Sequence, residues 1–223
     1  MSLEEWDGAH SLYLTRGDEV SSYRPWFTGD VFEHVSVPAI DDTDLAIVIA
    51  HPCSMRAGPN LKDRILVAAV RTHEATPAHK WTDGYFNRMP LPELHGDGAP
   101  FHAAWLEDIG VVRTGALELG TRIACLSPFG VNVLQQRLVH NLTRLEVGTS
   151  KFWEAFSRTY EESDLLEEWT EELSELDQAP AVSFETWIGQ GTPTRRKRLE
   201  DAQHRSQVRS DMRAEIRRIR GAT

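Results

Sequence analysis

The stretch that most constrains the fold is a short apolar run followed by a polar cluster. Residues 45–50, Leu-Ala-Ile-Val-Ile-Ala, are continuous and rich in β-branched side chains, a pattern typical of a strand buried on both faces. Pro52 ends this strand, because proline has no N–H to donate to a β ladder. We therefore expect a buried central strand with polar side chains at its end, those of His51, Cys53, Ser54 and Arg56.

Other short strands are predicted around this one. They lie at residues 31–37, 65–70, 91–94, 101–106 and 109–114. A turn near Asp108 and Gly110 separates the last two. Several short strands with little helix between them favour a small antiparallel β-barrel.

The second half of the chain is predicted to be helical. Ser127-Pro128 places a capping hydroxyl before a proline that suits the first helical turn. A leucine face follows at helical spacing, made of Leu134, Leu138, Leu142 and Leu145. The fold class is therefore α+β, a barrel followed by a helical C-terminal half.

Four regions follow from these patterns. We expect an N-terminal arm of loops or short helix, the barrel, an acidic helical region, and an apolar patch followed by one basic helix that runs from residue 193 to about residue 219. Their boundaries are 1–26, 27–126, 127–179 and 180–223.

Charge is distributed unevenly along the chain. The net charge of −10 argues against nucleic-acid binding by the whole surface. Residues 195–220 nevertheless hold ten Lys and Arg against four Asp and Glu, and residues 154–177 hold ten acidic residues and one basic residue. The candidate phosphate-binding side chains of the basic stretch are Arg195, Arg196, Lys197, Arg198, Arg209, Arg213, Arg217 and Arg220.

Pairing with the acidic stretch is the favoured alternative for this basic helix, ahead of nucleic acid or a partner protein. Its thin apolar face, Val208, Met212, Ile216 and Ile219, cannot hold a long helix in isolation. The acidic stretch offers a strip of matching period, Leu165, Trp169, Leu173 and Leu176. We predict that the two helices pack together, in one chain or between two.

Three groups of residues in the barrel are candidates for a site. They are the cluster that begins at His51, the strand end at Arg71 and Thr72, and residues 81–88. If the ends of neighbouring strands lie side by side, His51, Arg56, Arg71 and Thr72 converge within about 10 Å and form a catalytic or phosphate-binding pocket. A solvated strand end, with Cys53 filling the core and His51 bonded to backbone, is the structural alternative. Residues 81–88 interleave aromatics with arginine, which suits base stacking or a core plug.

The same residues limit the chemistry that we expect. Cys53 next to His51 suggests a nucleophile or a metal ligand, but the chain has no Cys-x-x-Cys or paired-His spacing, so we expect no metal and no cofactor. No apolar run reaches the length of a membrane span, and the first residues lack a signal pattern. We expect a cytoplasmic protein with reduced cysteines.

Residues 27–125 resemble the PemK-like mRNA interferase toxins, which are small SH3-like barrels. The resemblance rests on Gly29-Asp30-Val31 opening the first strand, on 45–50 as the second strand and on 65–70 as the third. In that family a polar active-site residue follows the third strand, and Arg71-Thr72 stand at that place. The resemblance implies an RNA-directed protein of a bacterial toxin–antitoxin or antiviral defence system.

These observations lead to three expectations of function. The first is a nucleic-acid-directed or assembly module of a toxin-like or defence system, with RNA, DNA or a partner protein as its partner and with homo-oligomers as its assembly. The second is an endoribonuclease that cleaves single-stranded RNA with Arg56 or Arg71 and with Thr72 or His51. The third is a structural subunit whose charged helices mediate oligomerisation, so enzyme activity stays open.

Overall fold

The computed structural model describes residues 3–40, 43–57 and 60–221, without the side chains of Cys53 and of residues 153–160. The chain divides into two compact units. The first, called the sheet unit, comprises Met1–Val20, Trp26–Ala57 and Leu61–Ala155. The second, called the helical unit, comprises Ser21–Pro25, Gly58–Asn60 and Phe156–Thr223.

Antiparallel strands form the sheet unit. The strands of the chain are β1 (Tyr13–Arg16), β2 (Asp30–Glu33), β3 (Leu45–Val48), β4 (Arg56–Ala57), β5 (Asn60–Leu61), β6 (Arg64–Thr72), β7 (Arg88–Leu91), β8 (His102–Arg113) and β9 (Thr121–Leu126). Seven of them form one curled sheet in the order β1-β9-β2-β3-β6-β8-β7. The mixed α+β class is therefore confirmed.

The central strand is where the sequence predicts it. β3 lies between β2 and β6, and Ala46, Ile47 and Val48 are all 0% exposed. Ala46 and Val48 belong to a core cluster that also contains Val67 from β6 and Val112 from β8. Both faces of β3 are thus covered, as its continuous apolar run requires.

Several parts of the sheet differ from the prediction. β7 lies at Arg88–Leu91 instead of residues 91–94, and β9 was not predicted. Residues 102–113 form the single strand β8 instead of two strands with a turn, because an irregularity opposite Ala68 and Ala69 absorbs residues 106–108 within the ladder. Tyr13–Arg16 of the predicted arm form β1 at an edge of the sheet, paired with β9. Such pairings join distant segments, so local patterns do not reveal them.

Helices α1 (Ala9–Leu12), α2 (Pro52–Met55), α3 (Thr114–Leu119) and α4 (Pro128–Thr143) complete the sheet unit. The predicted cap of α4 is confirmed, since Ser127 Oγ accepts a hydrogen bond of 2.9 Å from Gly130 N–H. The predicted leucine face is wrong in its second half. α4 ends where Arg144 turns left-handed (φ 62°), and Leu142 and Leu145 are 68% and 62% exposed.

The helical unit is held by one apolar cluster. Its helices are the greater part of α5 (Thr149–Leu173), which enters this unit at residue 156, with α6 (Pro180–Ile188), α7 (Arg195–Leu199) and α8 (Ala202–Gly221). Leu165, Trp169 and Leu173 of α5 belong to the same core cluster as Val208 and Met212 of α8. The predicted packing of the two helices is confirmed, within one chain. The predicted strip is wrong at Leu176, which lies beyond the end of α5 and is 45% exposed. The basic region is divided between α7 and α8, instead of forming one helix.

Within the described ranges, no helix combines the length and the apolar character needed to cross a membrane.

Candidate functional site: an arginine pair at one end of the sheet

The residues predicted to form one pocket do not come together. His51 follows the end of β3 and Arg71 lies near the end of β6. These strands are antiparallel, and Leu45 at the start of β3 pairs with Val70 near the end of β6. His51 and Arg71 therefore lie at opposite ends of the strand pair, roughly 20 Å apart at about 3.3 Å per residue. The predicted pocket is wrong, because like ends of neighbouring strands meet only when the strands are parallel.

At the His51 end, Arg56 belongs to a buried charged centre. Its Nη2 donates to the Trp26 carbonyl at 3.0 Å. Burial lowers the pKa of Arg56, and the nearby Asp30 opposes that shift. Asp30 is 0% exposed, and its Oδ2 accepts from Arg122 Nη1 and from Phe27 N–H, each at 2.9 Å. These contacts fix the chain that enters β2.

His51 itself occupies an exposed turn. Its carbonyl accepts hydrogen bonds from Ser54 N–H at 2.8 Å and from Ser54 Oγ at 2.7 Å, which starts α2. Partial burial lowers the pKa of His51. The side chain of Cys53, weighed as a nucleophile or a metal ligand, lies outside the described residues. Among the side chains that are described, no cluster of His, Cys, Asp or Glu has a metal-binding arrangement.

At the other end, Arg71 has an ion-pair partner. Its Nη1 lies 2.6 Å from Asp108 Oδ2, and its guanidinium carbon lies 5.3 Å from the centre of the Trp105 ring. Asp108 reaches this position because it lies in the irregular part of β8. Thr72 is exposed and pairs with His102 of β8. At this end of the sheet, the contacts of Arg71 with Asp108 and Trp105 join β6 to β8 and have a structural role.

Residues 81–88 are mainly structural. Trp81 is 0% exposed. The Arg88 guanidinium lies 3.8 Å from the centre of the Trp105 ring and donates to His73 Nε2 at 2.9 Å. Arginine can only donate, so Nε2 of His73 accepts and its Nδ1–H donates to the Glu74 carbonyl at 2.7 Å. Base stacking on this stretch stays a prediction, and most of its side chains already have partners.

The basic stretch is largely neutralised within the helical unit. The pairs are Arg196 with Glu162 and Glu185, Lys197 with Glu200, Arg198 with Asp211, Arg209 and Arg213 with Glu168, and Arg220 with Glu172. Arg195 donates to the Trp187 carbonyl at 2.9 Å. Arg217 is exposed and has no ion pair in the described part of the chain. These contacts disfavour the predicted nucleic-acid interface there, which stays a prediction.

A different pair of arginines forms the site that sequence reasoning missed. Arg64, the first residue of β6, lies directly opposite Arg113, the last residue of β8. Both side chains are exposed, and among the described residues neither forms an ion pair. Directly opposed residues point to the same face about 5 Å apart, where like charges destabilise the sheet. Such a pair is suited to an external anion.

The arginine pair opens on a groove of about 470 Å³. Its lining consists of Ser36, Pro38, Arg64, Val111, Val112, Arg113 and Ala116. Val111 is 47% exposed and pairs with Leu66, which is 38% exposed. The groove therefore combines two cations with an exposed apolar surface. We call it the arginine groove.

The surrounding backbone holds the arginine groove in place. Thr114 N–H donates to the Asp63 carbonyl at 3.0 Å, just beyond the arginine pair. On the side of Pro38, the chain packs so closely on β8 that a Cβ at Gly110 would lie 2.6 Å from Val37 Cγ1. Because Gly110 has no side chain, the segment of Val37 and Pro38 that forms this side of the groove can approach β8 closely.

The sequence contains only a weak signal for this groove. Arg64 precedes a predicted strand and Arg113 lies in another. No local sequence pattern predicts that the two residues lie opposite each other. The register of β6 and β8, which has an irregularity, decides that contact. No protein-family model matches the chain, and a search of curated proteins finds no relative.

Proposed function

We propose that the chain is a nucleic-acid-directed module whose sheet unit binds phosphate through the arginine groove. The observation that supports this most is the opposed pair of Arg64 and Arg113, which has no acidic partner among the described residues. Arginine binds phosphate through parallel hydrogen bonds. A like-charge pair on adjacent strands costs stability, and a bound anion offsets that cost.

The distribution of charge supports the same proposal. Since the protein carries a net charge of −10, an anionic strand is attracted only to a local cluster of cations. Most arginines of α7 and α8 are engaged by acidic residues, and the exceptions among the described side chains are Arg195 and Arg217. Arg64 and Arg113 are not engaged by acidic residues in the described part of the chain, so the sheet unit is the better candidate for phosphate binding.

The other two expectations have less support. The endoribonuclease depended on a pocket that the antiparallel register separates. Oligomerisation through charged helices depended on charges that are paired within one chain. Homo-oligomers and a cytoplasmic location stay predictions.

We propose that the curled sheet is an SH3-like barrel of the PemK-like type, and that the protein acts beside toxin or defence genes of a bacterium. The supports are the buried β3 and the apolar β6, which occupy the second and third strand positions of the resemblance.

The test is equilibrium binding of mixed-sequence single-stranded RNA and DNA, followed by fluorescence anisotropy at low salt. The double variant Arg64→Gln/Arg113→Gln is expected to lose roughly 10- to 100-fold in affinity, since charge-assisted hydrogen bonds are removed. Lys62→Gln, an exposed cation that does not line the groove, is the control and should bind as wild type. Absence of binding by the wild type, or equal binding by the double variant, would overturn the proposal.

A further inference from the structure

The arginine groove can bind one anionic group. Of the described residues that line it, only Arg64 and Arg113 are charged. Because the two residues lie opposite each other on adjacent strands, both guanidinium groups can reach one anionic group. A strand that continued through the groove would need further cations for its next phosphates, and the other lining side chains are apolar or a single serine.

The remaining lining suits one sugar or base. Val111, Pro38 and Ala116 present an apolar surface next to the arginines. The volume of about 470 Å³ lies within the range of pockets that hold one small ligand. Burial of a base on Val111, which is 47% exposed, would remove apolar surface from water.

We infer that the arginine groove binds the terminal nucleotide of a single strand, with the terminal phosphomonoester between Arg64 and Arg113 and the base or sugar on the apolar wall. This inference rests on the proposed function. A terminal phosphomonoester carries a charge of about −1.5 to −2 at neutral pH, which matches two guanidinium groups. An internal phosphodiester carries a single charge and leaves one arginine uncompensated.

The experiment compares single-stranded RNA probes of one sequence that differ only at their ends. One probe has a 5′-phosphate, one a 3′-phosphate, one hydroxyl groups at both ends, and one is a closed circle. We expect a probe with a terminal phosphate to bind at least tenfold more tightly than the circle, and the two phosphorylated probes show which end is preferred. The slope of log affinity against log salt should be about −1.4, because roughly two charges are neutralised at ~0.7 each.

Two variants sharpen the comparison. Arg64→Gln/Arg113→Gln should remove the difference between the phosphorylated and circular probes, with its fold checked by thermal melting. Lys62→Gln is the matched control, since Lys62 is exposed, lies two residues from Arg64 in the chain and does not line the groove. It should change neither the end preference nor the salt slope.

The possible failures are distinguishable. Equal affinity for the circular and the phosphorylated probes, lost in the arginine variant, would overturn the terminal-nucleotide inference and leave the proposed function intact. A wild-type salt slope clearly steeper than about −1.4, with a loss of affinity and a shallower slope in Lys62→Gln, would also overturn it, in favour of a strand that crosses several cations. If no probe binds, the proposed function itself fails.

Discussion

At the scale of single residues, Arg64 and Arg113 should oppose stability and favour binding. Each lies opposite a like charge, so Arg64→Gln is expected to raise the free energy of unfolding by about 0.2–1 kcal/mol while it weakens phosphate binding. Chemical denaturation measures the first effect and anisotropy the second. Lys62→Gln should change neither the free energy of unfolding nor the affinity for phosphate. A variant that lost stability would show that the pair has a structural role.

Arg137 of α4 is a buried cation that fixes the loop before β7. It is 0% exposed and donates to the carbonyls of Trp81 at 2.7 Å and of Tyr85 and Arg88 at 3.2 Å. Burial lowers its pKa to about 10, so it is charged at neutral pH. We expect Arg137→Met to cost roughly 3–5 kcal/mol, because hydrogen bonds to a charged group are lost. Arg217→Met is the exposed control, and equal melting of the two variants would contradict the prediction.

His102 should make stability depend on pH. Burial and the neighbouring His95 lower its pKa, and the 2.9 Å bond from Nδ1 to the Pro100 carbonyl raises it. His95 Nδ1 lies 3.3 Å from Glu33 Oε1. Since the folded pKa lies below the ordinary value of 6.5, the unfolded chain binds more protons between the two values. The free energy of unfolding therefore has its full value, as far as His102 is concerned, above pH 6.5, and it decreases as the pH falls below 6.5.

The measurement for His102 is the melting temperature of the protein from neutral to acidic pH. Replacement of His102 by Gln should flatten that profile, whereas the exposed His79→Gln should leave it unchanged. An unchanged slope in His102→Gln would assign the pH dependence to other groups.

At the scale of elements, the α5–α8 pair combines an apolar seam with shared charges. Arg209 Nη1 lies 2.8 Å from Glu168 Oε2, and Arg213 contacts the same carboxylate. We expect Glu168→Gln to lower the free energy of unfolding of the helical unit by about 1 kcal/mol at low salt, and by less at high salt, because exposed pairs are screened. Glu171→Gln, an exposed residue of α5 without a described ion pair, is the control. A salt-independent difference would contradict an electrostatic cause.

At the scale of the whole molecule, the helical unit should depend on its last two helices. A chain that ends at Gly191 loses α7 and α8, and with them Val208, Met212 and Ile216 of the apolar cluster. Since helices are stabilised mainly by packing, α5 should also lose structure, and circular dichroism should fall by more than the share of residues removed. Met212→Asp in the full chain should act similarly through a buried charge. A loss proportional to length would show that α5 is stable alone.

The sequence by itself determined the features that depend on local pattern. The apolar run of β3, the Ser127 cap of α4 and the facing strips of α5 and α8 were all predictable. The strand and the strips follow from the pattern of apolar side chains along the chain. The cap follows from a hydrogen bond between residues that are close in sequence. The opposite charges of α5 and α8 likewise predicted their pairing.

Only the tertiary structure decided which strand ends meet. Antiparallel pairing of β3 with β6 separates His51 from Arg71, and the irregular register of β8 brings Arg113 opposite Arg64 across 49 positions of sequence. Strand direction and register are set by the packing of a whole sheet, and a shift of one residue moves every side chain to the other face. For that reason the arginine groove was not visible in the sequence, although both of its arginines were.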